Sequence, residues 1–416
     1  MIKVLNCKNK NFSKQLSIFL NKRRSAKQAD AKLVNRIIKD VKKNKLKAVL
    51  KYEKRFSKNN IIKPSSKKIN KSIKSLNTKI KRAIDFAYNR ILNFHSRQKF
   101  KNISYIDKFK NKLEYKYVPI KSVGIYVPSN LPSTLLMNAI PAKLAGVKKI
   151  ILANPDLNSA VLYAARKIGI KEIYSMGGAQ AIASLAYIQN VNKIVGPGNI
   201  YVAQAKREVF GDVGIEGMIA GPSEITVVAD KNTNPNEVIT SLVAQAEHDV
   251  NSQSILITKD KNLIKKLNKN IFKNLKNLPR NKIASKSLKS NGLIICAQND
   301  KQIIRAINEI SPEHLELNVN NYKKYLSKIY NAGSICIGKY SPMAVTDYNS
   351  GTNHVLPTMG TAKFSSGLSV GEFYKKISHI KLSKKGIEKI GKYATHLAEY
   401  EELKGHALSI KSRIRR

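Results

Sequence analysis

The sequence predicts an α/β protein built on parallel sheets. Strand-like and helix-like segments alternate along most of the chain, in two blocks at roughly 121–230 and 231–340. Each parallel strand pair needs a crossover, usually a helix, so this alternation is the mark of a sheet covered by helices on both faces. The 416 residues suffice for two or three domains, and an apolar fraction of 42% is globular.

Taken in order, residues 1 to about 115 read as helical, with runs such as VNRIIKDVKKNKLKAVLKYEKRF spacing apolar residues at three and four. KSVGIYVP is strand-like, LLMNAIPAKLAG helical, and VKKIILANP a strand ending in a turn. The uncharged stretch from Ser122 to Ala142 is long enough to span a bilayer, but its three prolines and its polar residues predict a buried strand, a turn and a helix. SAVLYAARKIG is a helix, KEIYSM a strand, GGAQAIASLAYI a helix opened by two glycines, KIVGPGN a strand and turn, IYVAQAKREVF a helix and EITVVAD a strand. The second block repeats the theme, with strands at QSILITKD, GLIICA and AGSICIG. Helices are predicted there at NPNEVITSLVAQAEH, NLIKKLNKNIFKNLKNL and KQIIRAINEI. From about Gly371 the chain reads as helix with a basic end.

The charge is uneven. Residues 1–120 carry 35 Lys+Arg against 6 Asp+Glu, residues 121–240 carry 11 against 8, and the whole chain has a formal charge of +49. A basic first third could meet nucleic acid or an anionic surface. No basic motif interleaved with aromatics is present, and abundant Lys, Asn and Ile with no Trp is what an AT-rich coding sequence yields on tolerant surface positions. The three cysteines, Cys7, Cys296 and Cys336, form no CxxC or even framework, which predicts a reducing compartment without disulfides. With no secretory signal recognisable, a cytoplasmic location is expected.

In open α/β sheets, ligands sit outside the carboxyl ends of the strands, so strand-to-helix turns are the places to inspect. GGAQ (Gly177–Gln180) and GPGN (Gly196–Asn199) are small-residue turns where backbone N–H groups can approach a phosphate or a ring. Neither is a GxGxxG fingerprint, and a tight turn alone accounts for either. Of seven histidines, four have informative neighbours. Gln245-x-x-His248 sets an amide and an imidazole on one helix face, able to share a metal or merely to end a helix. TDYNSGTNHVLP holds Asp347 and His354 in a long polar turn. Glu401 and His406 lie five apart in a terminal helix, imperfectly stacked. In ISPEHLELN, Glu313 and His314 are adjacent, and adjacent residues of a regular element point different ways. Together an amide, a carboxylate and two imidazoles form a plausible nitrogen-and-oxygen zinc set, which spacing alone does not establish.

Taken together and in order, these motifs resemble the histidinol dehydrogenase family. The matching strings are GIYVPSNLPSTLLMNAIPAKLAGV, GGAQAIASLAY, KIVGPGNIYVAQAKREVFG, IAGPSEITVVAD, AQAEHDVNSQ, SPEHLELNV, AGSICIG, DYNSGTNHVLPT and EELKGHALSI. The resemblance implies two incomplete Rossmann-like domains with parallel sheets, plus small helical N- and C-terminal segments. Residues 1–24 would be an N-terminal helical arm. Residues 25–125 and 229–370 would form a discontinuous α/β domain carrying most metal and catalytic residues, and 126–228 the NAD-binding domain. Residues 371–416 would be a helical tail contributing to the partner's active site. The implied activity is NAD-dependent oxidation of L-histidinol to L-histidine through an aldehyde, the last steps of histidine biosynthesis, by a homodimer with one zinc ion per subunit.

The same resemblance puts the zinc ligands at Gln245, His248, Asp347 and, from the other chain, His406. It makes Glu313 and His314 the catalytic pair, and Ser223, His354 and Glu401 substrate contacts beside these groups. It puts NAD contacts at Tyr126, Gln180 and Asn199. On this reading the zinc orients the substrate, His314 takes the proton of the alcohol, and Glu313 accepts one from water in the second oxidation. The chain departs from the family pattern in two shortened loops, one after GIYVP through Ser129 and Asn130, the other between SLAY and KIVGPGN. Two other functions stand beside this one. One is a related dehydrogenase of another small alcohol, such as a sulfonated diol, against which the retained Ser223, His354, Glu401 and His406 argue. The other is a basic nucleic-acid-binding protein on an inactive scaffold, against which the retained polar set argues.

Overall fold

The computed structural model describes residues 1–22, 30–98, 100–216 and 221–414. They fall into two compact units, Met1–Arg97 with Lys121–Glu372, and Gln98–Ile120 with Phe373–Arg416.

The first unit holds two parallel sheets. In the five-stranded sheet the order is Glu172–Tyr174, Lys149–Ala153, Ser122–Tyr126, Lys193–Val195, Gly214–Ile215. Ser122–Tyr126 is buried along its whole length, as a strand covered on both faces must be. The strand order reverses between Ser122–Tyr126 and Lys193–Val195, which opens a crevice at their carboxyl ends. In the six-stranded sheet the order is Lys3–Asn6, Gly292–Cys296, Gln253–Thr258, Glu224–Ala229, His314–Asn318, Ser334–Ile337. All its pairings are parallel, and apolar cores lie on it through Ile225, Val227, Leu256 and Ile294, and through Val228, Ile255, Ile257 and Leu315.

The second unit is built on an antiparallel sheet, Tyr374–Lys381 against Lys112–Pro119 against Ile103–Ile106. Two helices follow, Lys384–Tyr400 and Lys404–Ile414. They pack closely at Gly391, where a Cβ would stand 2.9 Å from side-chain atoms of Ile410 and Ile414.

Most predicted alternation is present, including the strand, turn and helix across Ser122–Leu144. Among the described residues no helix is long and apolar enough to cross a membrane. Four expectations need correction. The first 115 residues are not all helical: Lys3–Asn6, Ile103–Ile106 and Lys112–Pro119 are strands. The chain after Gly371 is not all helix, because Tyr374–Lys381 pairs with Lys112–Pro119. These short strands depend on partners far away in sequence, which local spacing does not reveal. The expected helical arm of residues 1–24 therefore opens with an edge strand of the six-stranded sheet. Fourth, the helix Ala31–Ser57, expected with the discontinuous domain, packs its Val34, Ile37, Val41, Val49 and Tyr52 into the core beside helix Gly178–Tyr187. Arg23 and Arg24 of the expected arm, Ile219 and Ala220 of IAGPSE, and Arg415 and Arg416 lie outside the described residues.

Candidate active site

Ser223, Gln245, His248, Glu313, His314, Asp347 and His354 line one cavity of about 290 Å³ within the first unit. Its other wall includes Leu131, Ser133, Thr134, Gly196 and Pro197. The latter residues follow Ser122–Tyr126 and Lys193–Val195, so they mark the crevice at the carboxyl ends of the five-stranded sheet. The six-stranded sheet does the opposite. His314 is the first residue of its strand, registered with Ile225 and Ser334, and Ser223 immediately precedes Glu224–Ala229. Its catalytic candidates stand at the amino ends, where the rule for open sheets does not place a ligand.

Glu313 lies in the turn before the strand, so it escapes the alternation that would turn it away from His314. Its carbonyl accepts from Ser334 N at 2.9 Å, and its side-chain Oε2 accepts from Glu224 N at 2.8 Å. His314 Nε2 then stands 3.9 Å from Glu313 Oε1 and 3.9 Å from Asp347 Oδ1. Both distances exceed a hydrogen bond. His314 Nδ1 is buried without a partner. Burial, with His354 and His248 nearby, pushes His314 down to about 3, so its ring is neutral at ordinary pH. Burial raises Glu313 well above the carboxylate range, with Glu224 and Asp347 adding to the shift and the Glu224 N–H opposing it. Burial alone lifts Asp347 to about 7.

The helix Thr78–His95 holds the polar turn that carries Asp347 and His354. Arg90 donates to the carbonyls of Asn349 and Ser350, at 3.2 and 2.8 Å. His95 Nδ1 donates to Ile91 O at 3.0 Å, which leaves Nε2 to accept from Asn353 Nδ2 at 3.3 Å. The His354 ring meets the Asp347 carbonyl at 2.7 Å through Nδ1. A carbonyl only accepts, so Nδ1 carries the hydrogen and Nε2 is an acceptor.

The donor set suits a divalent cation. Gln245 Oε1 is buried without a partner, and beside it His248 is held below its usual range by burial. With Asp347, three nitrogen or oxygen donors line the same cavity, and the unpartnered Gln245 Oε1 among them is in the state a bound cation would relieve. Among the described residues no cluster of three His, Cys, Asp or Glu could hold a metal ion. One of the three groups here is an amide, and tetrahedral zinc takes a fourth ligand.

A histidinol dehydrogenase family model matches residues 20–414. The chain belongs to this family. It is 61% identical to the histidinol dehydrogenase of Pelagibacter ubique (strain HTCC1062), covering all of both chains. It is 43% identical to that of Bacillus subtilis (strain 168), covering 92% of this chain and 93% of that one. The crystal structure of histidinol dehydrogenase from Elizabethkingia anophelis superposes with a TM-score of 0.93 at 36% identity, covering 100% of this chain and 98% of that chain.

Other positions that the histidinol dehydrogenase resemblance assigns lie outside the cavity lining. Tyr126 ends the strand Ser122–Tyr126 and is buried, its hydroxyl accepting from Gly178 N at 3.4 Å. Gln180 is buried in the first turn of its helix. Asn199 is exposed and caps helix Ile200–Val209 by accepting from Tyr201 N and Val202 N. The turn ahead of it needs glycine: at Gly196, with φ at +102°, a Cβ would lie 2.0 Å from Tyr126 O. The shortened loop after GIYVP is braced by Asn154, whose Nδ2 donates to Val127 O at 2.8 Å and Ser129 O at 2.9 Å. Glu401 and His406 belong to the second unit, exposed on either side of the turn between its two helices.

Sequence reasoning missed the groups that act from a distance. Arg90 and His95 carry no motif. Buried Glu224, whose Oε1 accepts from Met359 N at 3.0 Å, reads simply as the start of a strand.

Proposed function

We propose that this chain oxidises L-histidinol to L-histidine through the aldehyde, in two steps that each pass a hydride to NAD, with zinc in the cavity. The carrying observation is the meeting of neutral His314 with Glu313 beside Gln245, His248 and Asp347 in one cavity. The named activity of the 61% identical relative supports the substrate.

Gln245, His248 and Asp347 would hold the zinc, with His406 of the partner subunit completing the set in a homodimer. When bound, zinc supplies a positive centre that can orient the imidazole and amine of histidinol. When bound, NAD supplies the hydride acceptor that no side chain provides. The rest falls to the chain. Neutral His314 takes the hydroxyl proton as the alcohol is oxidised, within a buried site that leaves its lone pair free. Glu313, in its carboxylate form, accepts a proton from the water that adds to the aldehyde. Burial, which raises its pKa, favours its protonated form and so its taking up that proton. His354 Nε2 offers an acceptor to a substrate N–H, Ser223 offers a further polar contact, and Glu401 of the partner subunit would add another.

The test is NADH formation from L-histidinol by purified protein, before and after chelation and with zinc restored. About two NADH per histidinol, lost on chelation and regained with zinc, is the expected result. No NADH with histidinol, but turnover of another small alcohol under the same conditions, would overturn the substrate assignment.

A further inference from the structure

We infer, resting on the dinucleotide reading above, that Glu53 is a positioning residue that locks the GGAQ turn and fixes which end of the Gln180 amide meets the ligand. Glu53 sits on the helix Ala31–Ser57 and is 0% exposed. Its Oε1 accepts from Gly177 N at 2.7 Å and from Gln180 Nε2 at 2.8 Å. Its Oε2 is buried without a partner. No motif points to this residue, which reaches the turn from more than a hundred positions upstream.

Two consequences follow for the ligand. The carboxylate oxygen can only accept from Gln180, so the amide cannot flip. Nε2 is turned inward and Oε1 is left as the atom to be offered, 3.0 Å from where a Cβ on Gly178 would stand. Two N–H groups of the turn are meanwhile committed to the protein, Gly177 to Glu53 and Gly178 to the Tyr126 hydroxyl. A free helix N-terminus attracts phosphate. Here a carboxylate already stands at the start of helix Gly178–Tyr187. Through Gln180 the turn therefore presents an acceptor to a hydrogen-bond donor of the dinucleotide, a ribose hydroxyl or the carboxamide NH2.

The experiment is calorimetric titration of NAD+ into the zinc-loaded enzyme without histidinol, for the parent, Glu53→Ala, Glu53→Gln, Gln180→Ala and the double Ala variant. Glu53→Ala is expected to weaken NAD+ about tenfold, the size of one lost hydrogen bond to a charged group, with kcat at saturating NAD+ and KM for histidinol unchanged. Glu53→Gln retains an acceptor oxygen for both donors and is expected to stay within about threefold of the parent. In the Gln180→Ala background, removing Glu53 should cost less than about twofold, because the two act as one unit. Parent-like NAD+ affinity in folded Glu53→Ala, or fully additive losses, overturns the lock alone. If Glu53→Ala does not fold, Gln180→Glu replaces it. Weakened binding there that Glu53→Gln restores upholds the lock, and no restoration overturns it. Absence of NAD+ binding to the parent enzyme overturns the dinucleotide reading and the lock with it.

Discussion

The two parallel sheets of the first unit present opposite ends to the same cavity. The five-stranded sheet offers its carboxyl ends, through Ser133, Thr134, Gly196 and Pro197, as open α/β sheets commonly do. The six-stranded sheet offers its amino ends, through Ser223, Glu313 and His314. Its carboxyl ends are differently furnished. There Asp300 accepts from Lys259 at 2.7 Å, Lys324 at 2.6 Å and the Tyr325 hydroxyl at 2.8 Å. Asp230 also accepts from Asn320 N at 3.1 Å and Asn232 N at 2.9 Å. Polar groups at that end satisfy one another, whereas at the amino end Gln245 Oε1 and His314 Nδ1 are buried without partners. Polar groups that are satisfied stabilise a fold, and polar groups left unsatisfied at a cost mark a place where something binds.

This contrast can be broken by substitution. The largest effect is expected for His314→Asn, which removes a base but keeps a small polar side chain. Turnover should fall by about 10²–10⁴ for both oxidations while zinc content by metal analysis stays at the parent level. Parent-like turnover would remove the amino end of the six-stranded sheet from the chemistry. Next is Gly196→Ala, which drives a Cβ into Tyr126 O at a position with φ +102°. Denaturant unfolding should show a loss on the order of 2–4 kcal/mol, or a loss of NAD+ affinity if the turn yields instead. An unchanged variant would mean that the crevice end of the five-stranded sheet tolerates movement.

The smallest effect belongs to the satisfied end. Asp300→Ala should leave kcat and KM alone and cost about 1 kcal/mol at pH 7, since the pair is partly exposed and screened. Hydrogen bonds from Lys259 and Lys324 hold the Asp300 carboxyl well below its ordinary range. A depressed acid gives stability that is present above the unfolded value and lost as pH falls towards the folded one. The gap between parent and variant should therefore close as the pH is lowered below about 4. A gap that widened in acid, or a fall in turnover at neutral pH, would blur the division between the two ends.

Much of the fold was legible because it is written in local pattern. Buried strands such as EITVVA and QSILIT are short runs rich in Ile, Val and Leu, and the helices between them keep their spacing without reference to the rest of the chain. The single helix expected over NLIKKLNKNIFKNLKNL ends at Asn270, and a second helix starts only at Asn281, so even there the error is one of extent. What failed was pairing at long range. Lys112–Pro119 and Tyr374–Lys381 each read as unremarkable polar segments, and neither is a strand until the other lies beside it.

The site divides in the same way. The sequence by itself determined which side chains were available: the adjacent Glu313 and His314, the Gln245-x-x-His248 spacing and the polar turn from Asp347 to His354. Chemistry-bearing residue types in short motifs survive reading in one dimension. Only the tertiary structure decided that Glu313 leaves the strand's alternation and faces the same cavity as His314. It alone showed that burial keeps His314 neutral and that His354 turns an acceptor inward. Glu53, Arg90 and His95 act from other helices through a few hydrogen bonds each. A hydrogen bond is set by distance and angle in space, and neither quantity has a trace in sequence separation.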